Sequence, residues 1–264
     1  LMDLCHGPLF ALLTVGIYWL LRPSRVFFLW CFLAGFGVCT EVAQGVSGRH
    51  ASWGDAAANI LGATAGLLFV KSRTPTRLRL TLLVVASGAL LLAMLPAGWQ
   101  LLDIAYQQQQ FPVLASFETP WELSRWSRQN CRMSRIRNHV SDGLWALQVD
   151  FEPDQYPGLS IEEVPPNWAG YAEFRFEATL ESELPLPLVV KLTDRIHNWE
   201  TEDRFEKAFV LNPGFNRIRI PLQEVELAPV GRLMDLSQMQ LLQFYVNGLA
   251  SPVRVDFDNL RLVP

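Results

Sequence analysis

The sequence predicts two parts of different class: a membrane all-α bundle of four transmembrane helices, followed by a separate all-β, jelly-roll-like sandwich. Three observations carry that expectation: four long apolar runs in the first hundred residues, period-two alternation in the second half, and a charge balance that reverses near Trp99. Residues 1–98 hold seven Lys and Arg against Asp3, Glu41 and Asp55, whereas residues 99–264 hold 15 basic and 23 acidic side chains. So acidic a second part argues against a nucleic-acid partner.

The apolar runs are Gly7–Leu21, Val26–Val46, Ala56–Val70 and Leu80–Leu102. The last contains no charge, and about 20 apolar residues at about 1.5 Å each span a hydrocarbon core of about 30 Å. The first and third are shorter, yet all four follow one another with little intervening chain, which reads as a bundle. Arg22 and Arg25 follow the first run, and Lys71, Arg73, Arg77 and Arg79 separate the third from the fourth. The positive-inside bias assigns both basic loops to the cytoplasm, so everything after Trp99 is expected outside it, in a multi-pass inner-membrane protein. Trp99 and Tyr106 flank the last run as interfacial anchors, and Gln107–Gln110 reads as a connector. The expected divisions are 1–98, 99–115 and 116–264. Leu1, Met2 and Asp3 lack a basic n-region and no cleavage site follows the first run, so no cleavable signal peptide is expected. Cys5, Cys31 and Cys39 lie in the apolar runs and leave Cys131 alone, which implies no disulfide framework.

The same parity gathers Asp3, His6, Glu41, Gln44, Arg49, Ser52, Asp55 and Asn59 at the outer ends of the helices. Polar groups are costly near a bilayer, so this cluster is a candidate pocket. Glu41 and Gln44 are three apart and Asp55 and Asn59 four apart, which puts each pair on one helix face. Three chemistries stay open. Arg49 reaches Glu41 or Asp55 in a salt-bridged lock; the pocket binds a lipid headgroup or an envelope precursor; or His6 works with Glu41 or Asp55 in acid–base catalysis. No nucleophile motif, metal-ligand spacing or phosphate loop names a reaction, and no catalytic residue is assigned.

Beyond the connector, Ala172, Phe174, Phe176 and Ala178 alternate with Tyr171, Glu173, Arg175 and Glu177, giving a strand with one apolar and one charged face. Similar strands are expected at Leu144–Phe151, Leu186–Thr193, Phe205–Leu211, Asn216–Leu222, Leu241–Val246 and Val253–Val263. Pro157, Gly158, Pro165, Pro166, Pro213, Gly214 and Pro252 punctuate the gaps, which favours short antiparallel strands in two packed sheets. Trp168, and Trp199 beside His197 and Asn198, are candidates for stacking on sugar rings, with Arg195, Asp203 and Arg204 supplying hydrogen bonds. Trp121, Trp126 and Trp145 read as core or as covered by a loop. His139 and His197 lack a second His or Cys at ligand spacing, so no transition-metal site is expected.

Two resemblances extend this reading. With Asp3 and His6 before one helix, Glu41 and Gln44 closing the next, and Arg49, Asp55 and Asn59 entering a third, residues 3–69 resemble the VanZ-like membrane family. That resemblance implies an envelope setting, a link to low-level glycopeptide resistance and a further helix ahead of Leu1, but no established reaction. Ser116–Glu118, Ser141–Val149 and Val255–Leu262 make residues 116–264 similar to jelly-roll carbohydrate-binding modules of the galactose-binding-like fold. This second resemblance implies a glycan partner and a structural calcium, with Glu118 and Asp258 as its oxygen ligands. The function expected is recognition of envelope or extracellular glycan by a sandwich anchored in membrane lipid. The alternatives are an enzyme modifying a lipid-linked glycan or polysaccharide, and a docking component of a polysaccharide assembly or export complex.

Overall fold

The computed structural model describes residues 6–23, 25–46, 53–73 and 77–264. The chain divides into two compact units, Leu1–Leu102 and Asp103–Pro264.

Four helices make the first unit: α1 (His6–Leu21), α2 (Val26–Val46), α3 (Trp53–Ser72) and α4 (Arg79–Gln110), the last running on into the second unit. Two of them, the Val26–Ala43 stretch of α2 and α4, are long and apolar enough to cross a membrane by length and composition. Small residues set the approach of α1 to α3. A Cβ at Gly62 would lie against the Gly7 carbonyl, well inside van der Waals contact, and one at Gly66 would lie 2.5 Å from the Ala11 carbonyl oxygen. Glycines four apart therefore let two helical backbones touch, the device that substitutes for hydrophobic collapse between apolar helices. The Trp30 indole of α2 donates to Thr64 Oγ1 of α3 at 2.9 Å.

The expected Gln107–Gln110 connector is corrected: these residues form the last turn of α4. Glutamine is a good helix former, and Gln110 Nε2 donates to the Tyr106 hydroxyl at 2.6 Å and to Ser116 Oγ at 3.2 Å. One turn earlier, Arg125 grips Asp103 with Nε and Nη2 at 2.7 and 2.6 Å, and both side chains are nearly buried.

The second unit is a β-sandwich. Its first elements are β1 (Val113–Ala115), β2 (Trp126–Gln129), β3 (Cys131–Ile136), β4 (Ala146–Phe151), β5 (Gly158–Ile161), β6 (Glu173–Glu181) and β7 (Leu186–Asp194). β8 (Phe205–Leu211), β9 (Gly214–Pro221), the short α5 (Leu222–Glu226), β10 (Met239–Val246) and β11 (Val253–Val263) complete it. One antiparallel sheet runs β3-β4-β11-β6-β9 with β1 paired to β11, and the other runs β2-β5-β10-β7-β8. Phe244 of β10 locks them together. Its ring lies 5.0 Å from Phe176 of β6 and 5.1 Å from Phe257 of β11, with Trp126 of β2 stacked at 6.2 Å. Leu147, Val149, Leu188, Val190, Leu192, Leu242 and Val255 fill the rest of the interior. The β8 and β11 boundaries fall where alternation predicts them. Missed by the same criterion are β1, β2, β3 and β5, three or four residues long except for β3, which carries Arg132 and Arg135 at a sheet edge.

Overpacking a tight contact costs about 1–3 kcal/mol. Gly62→Ala should therefore lower the melting temperature of the purified chain, while Gly35→Ala, whose Cβ would meet no atom within 4 Å, should not lower it. Equal melting of the two variants would contradict the close crossing.

Candidate functional site

Locking Phe244 inward turns its neighbours outward, because strand side chains alternate. Gln243 and Tyr245 thus stand on the outer face of the central strand. Gln243 is opposite Ser160 of β5 on one side and Lys191 of β7 on the other; Ser160 faces Ser127 of β2, and Lys191 faces Glu206 of β8. The register thereby makes one row across all five strands: Ser127, Ser160, Gln243, Lys191 and Glu206. Lys191, Glu206, Gln243 and Tyr245, with Tyr156, Arg204 and Asn247, line a depression of about 390 Å³.

Hydroxyl, amide, ammonium and carboxylate groups in one line, with the Arg204 guanidinium beside them, supply both donors and acceptors. The Tyr156 and Tyr245 rings meet edge to face at 6.1 Å and add apolar surface beside them. Arg204 Nε lies 2.6 Å from Glu206 Oε2. Burial and the Arg204 charge lower the Lys191 ammonium pKa, opposed by Glu206. Burial, then the hydrogen bond and charge of Glu206, push the Tyr245 phenol well above its ordinary range, so it remains a neutral donor.

Of the six residues expected to contact sugar, only Arg204 lines this depression. Trp168 is corrected: it is fully buried, its ring 5.5 Å from Phe174 and its indole nitrogen donating to the Pro165 carbonyl at 2.7 Å. His197 is also turned inward, with Nδ1 2.7 Å from the Asp203 carbonyl and its side chain 6 % exposed. Asn198 shapes the same loop, its N–H donating to Asp203 and its side-chain carbonyl accepting from Glu200 N–H. Arg195 borders a different depression, with Glu163, Val164, Met239 and Gln240. Trp199 is 84 % exposed. Under these loops, Arg232 holds Asp194 with Nη1 and Nη2 at 2.6 and 2.9 Å and pairs with Asp203, so this acidic group is structural. The Arg232 hydrogen bond keeps the Asp203 carboxyl below the usual carboxylate range. Tyr156, Lys191, Glu206, Gln243 and Tyr245 were the residues that sequence reasoning missed. The signal was the alternation itself, read for its inner face and not for its outer one.

Glu118 and Asp258 come together on one loop, but not as an ion shell. Glu118 Oε1 accepts the N–H groups of Leu144 and Trp145, and Asp258 Oδ2 accepts Ser141 N–H, Ser141 Oγ–H and Asp142 N–H. Asp258 Oδ1 accepts Asn259 N–H. These lone pairs are used to fasten residues 141–145, which does not fit the oxygen cage that calcium takes.

In the helical unit, His6, Glu41 and Asp55 each place a donor atom within 4.8 Å of the others. His6 Nδ1 is 3.1 Å from Asn59 Oδ1, and Asn59 is fully buried, with Gly37 leaving the room it needs. Asp3, Arg49, Ser52 and the Gln44 side chain lie outside the described residues.

No family model matches the chain, and no curated protein matches it. Among solved structures, the chain is similar to an exo-beta-agarase, at 17 % identity and TM-score 0.47 over 58 % of this chain and 24 % of that one. It is also similar to the family 11 carbohydrate-binding module from Clostridium thermocellum in complex with a beta-1,3-1,4-mixed-linked tetrasaccharide, at 14 % identity and TM-score 0.43, covering 57 % and 94 %. A family 30 carbohydrate-binding module of a cellulosomal cellulase from the same organism gives 12 % identity and TM-score 0.41, covering 53 % and 91 %. The chain thus spans about a quarter of the agarase.

Truncating a buried Trp costs about 3–5 kcal/mol, and an exposed one within about 0.5 kcal/mol of nothing. Thermal melts should show Trp168→Ala strongly destabilised and Trp199→Ala unchanged; the reverse order would contradict the placement of both.

Proposed function

We propose that the chain is a membrane-anchored protein that recognises glycan through the outer face of its five-stranded sheet. The observation that carries this reading is the row from Ser127 to Glu206, bounded by Tyr156 and Tyr245. Sugars present hydroxyls at regular spacing and apolar ring faces, and a strand-spaced file of polar side chains beside tyrosines answers both. A linear glycan would lie across the strands. Lys191, Gln243 and Arg204 would donate to its hydroxyls and Glu206 would accept from them. A depression this open suits binding without turnover.

The membrane setting is part of the proposal. Support comes from the unusual number of large apolar side chains left exposed on the helices, among them Leu12, Leu20, Phe27, Phe32, Leu80 and Leu91. Water would penalise such a surface, and lipid would not. With Arg22, Arg25 and the four basic residues between Lys71 and Arg79 in the cytoplasm, four crossings of the inner membrane would leave the sandwich outside the cell's interior. The His6, Glu41 and Asp55 cluster favours a second reading, in which the helical unit holds or modifies a lipid-linked glycan at its polar end. Turnover of such a substrate by the purified chain would select it.

Removing one charge-assisted hydrogen bond costs about 1.5–3 kcal/mol, and each 1.4 kcal/mol is tenfold in affinity. On an array of envelope and plant polysaccharides, the full chain in nanodiscs should bind at least one glycan. Lys191→Ala should weaken that binding about tenfold and Gln243→Ala, which loses a neutral hydrogen bond, by a few-fold, and Trp199→Ala should not. Binding insensitive to both substitutions, or absent from the whole array, would sink the proposal.

A further inference from the structure

The segment joining β3 to β4 brings His139 against two carboxylates from different strands of the six-stranded sheet. Asp256 stands mid-way along β11. Glu181 closes β6 directly opposite Arg254, so Glu181 and Asp256 are diagonal neighbours on one face of the sheet, within reach of each other's side chains. His139 Nδ1 is 2.6 Å from Asp256 Oδ2 and 3.6 Å from Glu181 Oε1, and one donor atom from each residue lies within 4.8 Å of the other two.

A second, independent feature is the Asp256 carboxylate itself. Its side chain has no exposure at all, yet Oδ1 finds no hydrogen-bond partner among the described residues. An unsatisfied buried carboxylate oxygen is expensive, more so than a neutral group. Burial raises the Asp256 carboxyl above its ordinary range even though His139 hydrogen-bonds to it. A cation held in the bidentate mode by this carboxylate contacts Oδ1 as well as Oδ2. A bound cation would therefore satisfy both.

We propose that His139, Glu181 and Asp256 form a binding site for a divalent transition-metal ion of the zinc class, with solvent completing the coordination shell. One imidazole nitrogen and two carboxylate oxygens make a mixed set that zinc accepts at about 2.0–2.2 Å, whereas calcium and magnesium take oxygen alone. Tetrahedral bonds of that length separate donors by roughly 3.4 Å. The His139–Glu181 separation already matches, and the His139–Asp256 hydrogen bond has to open by less than 1 Å. His139 and Glu181 are 42 % and 38 % exposed, which gives an ion a way in. Arg254 faces the same group, with Nη1 3.4 Å from Glu181 and Nε 2.6 Å from Asp150. On metal binding Glu181 leaves the longer contact, and Arg254 keeps Asp150. Two carboxylates and a neutral imidazole balance a dication's charge. The ion would pin the β3–β4 segment to the sheet, beside the hydrogen bonds that Glu118 and Asp258 make to it.

The test uses the metal-stripped full chain in nanodiscs, titrated calorimetrically with Zn²⁺ and spectroscopically with Co²⁺. Asn tolerates the left-handed backbone of His139 (φ 54°), so His139→Asn is the first variant and Glu181→Gln the second. The wild type should bind zinc saturably and melt at a higher temperature with it. Each variant should lose one equivalent of zinc or bind it at least about tenfold more weakly, while the metal-free chain still melts cooperatively. Unaltered stoichiometry and affinity in both variants, as a metal at His6, Glu41 and Asp55 alone would give, overturns the proposal. So does the absence of saturable binding, or calcium binding as tightly as zinc and depending on His139.

Discussion

Everything on the sandwich surface follows from how Phe244 is held. Its ring is enclosed by Phe176 and Phe257 of the opposite sheet and by Trp126 of its own, a burial that fixes the pleat of the central strand. A slip of one residue would drive Gln243 and Tyr245 into the core and expel Leu242, Phe244 and Val246. The apolar interior therefore dictates which polar groups face outward, and the antiparallel register aligns them across five strands. The proposed ligand face and the stability of the fold thus fall to alternate residues of the same strands.

The helical unit solves a different problem. Apolar side chains cannot drive its assembly if lipid surrounds it, so close backbone contact and a few polar anchors have to serve. Gly62 and Gly66 let α3 touch α1, and Trp30 reaches Thr64. His6, Glu41, Asp55 and Asn59, drawn from three helices, gather at one end. Their concentration is consistent with either a lock or a ligand site, and both uses demand that the three helices keep a fixed register.

Legibility in the sequence followed contact range more than length. β8 and β11 are readable to their ends, whereas the longer β6, expected over Tyr171–Ala178, runs Glu173–Glu181, because pairing with β9 and β11 and not alternation sets its ends. β2 and β5 were invisible because four residues carry no period. Gln107–Gln110 looked like a connector for lack of apolar residues, yet glutamine propagates a helix, and α4 ends only at Gln110. Trp168, a candidate for stacking on sugar, is buried instead, because turn chemistry says where a chain bends but not which way a ring points. The His139, Glu181 and Asp256 cluster was beyond sequence reasoning altogether. Its members lie 42 and 117 positions apart from His139, and only strand pairing brings them together. The proposed glycan face lies in the polar half of that alternation, and only the register of five strands aligns it into a row.

The most direct test of the central claim is hydroxyl-radical footprinting of the full chain, with and without a glycan that it binds. Tyr156 is 48 % exposed and Trp199 84 %, so both are labelled in the free protein. The account predicts that bound glycan protects Tyr156 and leaves Trp199 as reactive as before. Protection of Trp199 with Tyr156 unaffected would move the binding surface off the five-stranded sheet and contradict the account.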